Sequence, residues 1–79
     1  MRPADSVNAC GLKCPEPLMR LYAALNRIEA GELVRFEADD PTSLRDVRRM
    51  CGFLHHRIIA ADEEKGGACV LLIRKKEEA

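Results

Sequence analysis

The stretch Cys10-Gly11-Leu12-Lys13-Cys14-Pro15-Glu16-Pro17 marks the place where an extended segment gives way to a helix. Gly11 supplies a flexible turn residue between two cysteines. Pro15 suits the first helical position, because its ring presets φ and its missing N–H would go unpaired there in any case. Cys14 then falls at the N-cap, a place that usually takes Ser, Thr, Asp or Asn. A thiol at a helix N-terminus feels the positive end of the macrodipole, which favours thiolate over thiol. Pro15 and Pro17 leave only Glu16 and Leu18 as nearby backbone donors, so that help is modest. The prolines instead hold the turn rigid and keep the sulfur projecting. Lys13 supports the thiolate and Glu16 opposes it. Cys14 is the candidate reactive residue, with Lys13, Pro15, Glu16 and Pro17 supporting it.

Upstream, residues 6–9 are too short to show a period but can form a strand, preceded by a loose leader over residues 1–5. Downstream, Leu18, Leu21, Tyr22, Leu25 and Ile28 recur at spacings of three and four, which predicts a helix over 15–30 with Gly31 as its stop. Arg20, Ala23 and Arg27 fall on its other face. Met19 lies off the stripe, either as a boundary residue that partly packs or as an apolar contact for a partner beside Cys14. Residues 32–38 alternate as a strand, with Val34, Phe36 and Ala38 on one side. Asp39-Asp40-Pro41 breaks it, and Thr42 or Ser43 can cap a second helix. There Leu44, Val47, Cys51 and Leu54 share a side with Met50 at its edge, and Arg45, Arg48 and Arg49 gather opposite. Gly52 marks the end of the helix's regular part or a kink. Strands over 56–62 and 68–75, joined by Glu63-Glu64-Lys65-Gly66-Gly67, make a terminal hairpin before a charged tail.

The order is βαβαββ. Two helices with one apolar stripe each suit one face of a four-stranded mixed sheet, an α+β two-layer sandwich. The last strand has apolar residues on both faces (Cys69, Leu71 and Ile73 against Val70 and Leu72), so periodicity does not choose its buried side. Residues 1–79 read as a single domain with a small core.

Thirteen basic residues balance thirteen acidic ones, which argues against a nucleic-acid binder working through bulk charge. No charged segment leads into an apolar run of signal-peptide or spanning length, so a cytoplasmic protein with no membrane span is expected. Four cysteines without an export signal argue against a disulfide scaffold. Their spacing, with His55 and His56 adjacent, lacks the paired ligands of a zinc site, so no metal is expected. Cys10 is either a resolving thiol for Cys14 or a small loop residue. Cys51 and Cys69 lie in apolar patterns and read as core. His55-His56 are a candidate general base, but with no partner identifiable they read as structural or solvent-facing. Arg45, Arg48 and Arg49 form a solvated helix face, or dock an acidic partner surface or hold a sulfur-bearing anion.

Gly11-Leu12-Lys13-Cys14-Pro15-Glu16-Pro17-Leu18 resembles the G-x-x-C-P-x-P signature of the TusA-like (SirA-like) sulfur-carrier family. Asp40-Pro41-Thr42-Ser43-Leu44-Arg45-Asp46 is similar to that family's D-P-x-[ST] segment, and the length and element order agree. The resemblance implies that Cys14 accepts sulfane sulfur as a persulfide and passes it to another protein's cysteine. It implies a cysteine desulfurase or rhodanese-type donor, a DsrE-type or other acceptor protein, and no cofactor. The end use would be tRNA thiolation, cofactor sulfuration or sulfur metabolism, by thiol-exchange chemistry. Two positions depart from the pattern. Val7-Asn8-Ala9-Cys10-Gly11 stands where L-D-x-x-G is common, and His55-His56 where a G-H pair is common. The rival classes are a redox-sensing module using Cys14 with Cys10, and an RNA-binding domain using the arginine face. The latter lacks the aromatics expected for single-strand recognition, so no direct nucleic-acid binding is expected.

Overall fold

The computed structural model describes residues 2–64 and 66–77. Met1 of the leader, Lys65 of the hairpin turn, and Glu78 and Ala79 of the tail lie outside the described residues. The elements are β1 (Asp5–Asn8), α1 (Glu16–Arg27), β2 (Leu33–Ala38), α2 (Pro41–Leu54), β3 (Arg57–Glu63) and β4 (Cys69–Arg74). The sheet order is β1-β2-β4-β3. β1 runs parallel to β2, and β4 runs antiparallel to both β2 and β3. This is the expected βαβαββ mixed sheet.

Register decides what periodicity left open in β4. Val34 pairs with Ile73, Phe36 with Leu71 and Ala38 with Cys69, and all six side chains are buried. They form one cluster with Val7 of β1, Leu21, Ala24 and Leu25 of α1, and Val47 and Cys51 of α2. Val70 and Leu72 therefore lie on the face away from the helices, beside Glu37 and Arg35, and are half-buried. β3 keeps register at Ile58, which is opposite Ile73, and then shifts between Ile58 and Ala60. The inserted residue locally disrupts the pairing of this edge strand and increases its twist.

Four local expectations need correction. α1 stops at Arg27, and Ile28 turns extended (φ −100°, ψ 165°) so that its side chain stays in the core. The loop after it is held by β4's end. Lys75 Nζ donates to the Ile28 carbonyl (2.8 Å), and the Gly31 N–H donates to the Lys75 carbonyl (3.0 Å). Gly31 thus serves that loop, at φ +85°, and does not stop the helix. Tyr22 is exposed, because the buried stripe of α1 is Pro17, Leu21, Ala24 and Leu25, which rotates the helix away from it. In α2 the cap is Asp40, whose side chain accepts from the Thr42 N–H and from Ser43 Oγ (2.9 Å). Gly52 does not end that helix, which runs to Leu54 and closes on His55 in the left-handed region (φ 66°). There the His56 N–H donates to the Cys51 carbonyl (2.9 Å) and the His55 N–H to the Gly52 carbonyl (3.3 Å), the paired bonds of a Schellman cap.

Candidate functional site

The turn that carries Cys14 is built from backbone contacts with its neighbours. The Ala9 N–H donates to the Glu37 carbonyl (2.7 Å), which carries the β1–β2 ladder one residue past β1. Asn8 Oδ1 then accepts from the Cys10 N–H (3.0 Å). Gly11, at φ +81°, aims its N–H at Asp39 Oδ1 (3.0 Å). These bonds clamp the loop to the β2–α2 connection, and Leu12 packs against the core.

Cys14 is exposed and sits one residue earlier relative to α1 than the sequence suggests. Pro15 is the N-cap, with Glu16 and Pro17 as the first two helical residues, and no side chain caps the helix. The Cys14–Pro15 peptide bond is cis. The first helical bond runs from the Met19 N–H to the Pro15 carbonyl (3.1 Å). Since the dipole's influence fades within the first turn, a sulfur outside the cap gains less from it than one at the cap. What the sulfur meets instead is a carboxylate. The Cys14 thiol donates to Asp46 Oδ2 (3.8 Å), a length suited to sulfur's larger radius. Asp46 Oδ1 in turn lies 3.6 Å from Arg45 Nε.

The supporting residues divide by role. Pro17 is buried and anchors the start of α1, while Lys13 and Glu16 are exposed. Glu16 pairs with Arg20 (3.6 Å) across one helical turn, which adds little at an exposed site. Lys13 contributes to holding Asp40 below the usual carboxylate range, after the larger effect of the Ser43 hydroxyl.

Cys10 belongs to a different layer from Cys14. Its half-exposed thiol donates to Glu37 Oε2 (3.6 Å), and Glu37 also accepts from Arg35 Nη1 (3.2 Å). Both of those residues lie on the sheet face away from the helices. Burial, then the Glu37 carboxylate, pushes the Cys10 thiol up. Cys51 is buried in α2 and pushed up to about 11 by burial, and Cys69 is buried in β4. Among the described residues no three His, Cys, Asp or Glu side chains converge as a metal site.

Of the candidate docking residues, Met19 is 59% exposed, and Arg45, Arg48 and Arg49 all face solvent. Arg45 is the one tied to the site, through Asp46. Sequence reading missed Asp46 and two further apolar residues, Tyr22 (52% exposed) and Phe53 (83% exposed). Phe53 follows Asp46 by seven residues, about two turns at 3.6 residues per turn, so both occupy one flank of α2. The contact of Asp46 with Cys14 shows that this flank borders the start of α1. A helical wheel alone could have placed Phe53 off the buried stripe. Nothing local could have paired Asp46 with Cys14, because that contact needs α2 packed beside α1.

The remaining feature of note is a cleft of about 420 Å³ lined by His55, Arg57, Arg74, Lys75, Lys76 and Glu77. It lies at the opposite end of the sheet from Cys14, where β4 ends and β3 begins. The His56 ring there accepts from the Lys76 N–H at Nδ1 (3.0 Å). No helix of the described residues is long and apolar enough to cross a membrane.

Residues 5–75 match the family described as sulfurtransferase TusA. Among solved structures the chain is similar to a SirA-like protein from Desulfitobacterium hafniense, with 26% identity and a TM-score of 0.81 over 92% of this chain and 99% of that one. The matched residues take in both helices, all four strands and the Cys14 turn. This chain therefore belongs to the sulfurtransferase TusA family, whose general role is sulfur transfer.

Proposed function

We propose that this chain is a small sulfur carrier. Cys14 accepts sulfane sulfur as a persulfide and delivers it to a cysteine of a partner protein. The observation that carries this reading is the exposure of Cys14 on a clamped turn at the head of α1, within a family of sulfurtransferases. The other three cysteines are buried or directed at Glu37. The chemistry is exchange between a thiol and a persulfide, for which access to the sulfur is the first requirement. In this reading Cys14 turns over only with donor and acceptor proteins, and the thiol–persulfide exchange itself calls for no cofactor.

A cysteine desulfurase or a rhodanese-type enzyme would load it, and a DsrE-type or other acceptor would receive the sulfur. The pathway served would be tRNA thiolation, cofactor sulfuration or sulfur metabolism, in the cytoplasm. The partner surface comprises Cys14 with Met19, Tyr22 and Phe53, rimmed by Arg45, Arg48 and Arg49. Exposed apolar side chains beside a reactive sulfur are what a transient protein contact uses. Incubation with a cysteine desulfurase and cysteine, followed by intact-mass analysis, should add sulfur to the native chain and none to Cys14→Ser. An adduct that persists in Cys14→Ser refutes the site.

A further inference from the structure

Asp46 comes from the second turn of α2, and its contact with Cys14 spans 32 residues of chain. The contact exists only because α2 packs beside the start of α1. We infer that Asp46 is a positioning residue that biases Cys14 towards its sulfur-free form, so that the carrier gives its sulfur up readily. The inference rests on the sulfur-carrier reading above and deepens it.

In loading, the Cys14 sulfur attacks the terminal sulfur of a donor persulfide, R–S–S⁻. A new S–S bond forms at Cys14 and the donor's S–S bond breaks. The donor cysteine leaves as a thiolate and takes up the proton that Cys14 released. Cys14–SH and R–S–S⁻ thus become Cys14–S–S⁻ and R–SH, with no net oxidation. Unloading is the same exchange with an acceptor thiol.

The two sides of this exchange present different chemistry to Asp46. Before loading, the S–H is a donor and Oδ2 its acceptor. After loading, the inner sulfur has no proton to donate. A hydropersulfide is more acidic than its parent thiol, so the outer sulfur carries negative charge at neutral pH. A hydrogen bond has become a like-charge contact. Asp46 therefore stabilises the empty carrier relative to the loaded one, whichever protein supplies the sulfur. Arg45, paired to the other oxygen of the same carboxylate, offsets part of that charge.

Equilibration with glutathione and glutathione persulfide at low ionic strength, with the loaded fraction read by intact mass after a rapid alkylation trap, tests this without any partner protein. Asp46→Asn should raise the loaded-to-empty ratio by about three- to tenfold, the size of a screened like-charge contact and a charge-assisted hydrogen bond at a partly exposed site. Arg45→Ala should lower the ratio. High salt should shrink the Asp46→Asn effect, which a loss of packing would not do. A ratio equal to the native one in Asp46→Asn, or a difference that salt leaves intact, overturns the role of Asp46 and leaves the carrier reading standing. Equal sulfur on the native and Cys14→Ser chains overturns both.

Discussion

Exposing the native chain to iodoacetamide at pH 8 should alkylate its four cysteines in an order set by burial and charge. Cys51 gives the magnitude. Its thiol is pushed from 9.0 up to about 11, which lowers its native-state thiolate fraction at this pH by about a hundredfold. It is also almost fully buried, so reagent reaches it mainly when the chain opens. At roughly 0.05–0.15 kcal/mol per residue, this domain has a global stability of about 4–12 kcal/mol. Opening then limits Cys51 labelling to about a thousandth of the rate of a free thiol, or less. Cys14 is exposed and needs no opening. Cys10 should fall between them, held back by desolvation and by the Glu37 carboxylate. Glu37→Gln should speed its labelling while leaving Cys51 unchanged. Quenched time points resolved by peptide mass spectrometry give all four rates from one experiment. Labelling of Cys51 at a rate comparable to Cys14, or of Cys10 ahead of Cys14, would refute the reasoning.

Three further outcomes follow from the same structure. Burial and then the positive charges of Lys75 and Lys76 hold the His56 ring below 6.5. The unfolded chain therefore binds its proton first, and the His56 contribution to stability is present above 6.5 and lost as pH falls through the folded-state value. Thermal melts from pH 7.5 to 5 should show this loss, and His56→Gln should flatten it over the upper part of that range. Ser43 is buried with its hydroxyl donated to Asp40 Oδ2, so Ser43→Ala should cost about 1 kcal/mol in urea unfolding and lower Tm by roughly 4–8 °C. An unchanged midpoint would count against that bond. Phe53 is mostly solvent-exposed, so Phe53→Ser should change stability by less than about 0.5 kcal/mol. The same variant should slow sulfur transfer from a protein donor but not from glutathione persulfide; equal slowing with both donors would remove Phe53 from the partner surface.

The layers and the element order were legible because period and punctuation agree in most segments. Val34, Phe36 and Ala38 announce one buried face of β2, and Asp39-Asp40-Pro41 ends the strand where the structure ends it. What was misread or left open shares one cause. The limits of α1 and the burial of Tyr22, which were misread, and the buried face of β4, which was left open, depend on what packs against each element. Ile28 leaves the helix because the core and the Lys75 side chain hold it extended. Leu71 and Ile73 point inward because β4 pairs with β2 at that register, which a strand with apolar residues on both faces does not declare. The site was half legible in the same way. The C-P-x-P run locates the sulfur, but its chemical neighbour comes from α2.

That neighbour changes how the Cys14 turn is understood. A sulfur at the N-cap would use the helix dipole to favour an anion, and with a thiol as the empty form and a persulfide anion as the loaded one, that favours the loaded form. Such a site would hold sulfur well and release it reluctantly. Here Pro15 takes the cap and Pro17 fills a core-facing position in the first turn, which moves the sulfur out of the dipole's strongest reach and against a carboxylate. A proposed carrier handles one sulfur twice, once from a donor and once to an acceptor. If its persulfide were much more stable than theirs, the relay would stop at Cys14. The arrangement of Pro15, Cys14 and Asp46 keeps the sulfur exposed for exchange while stabilising the state to which the carrier must return.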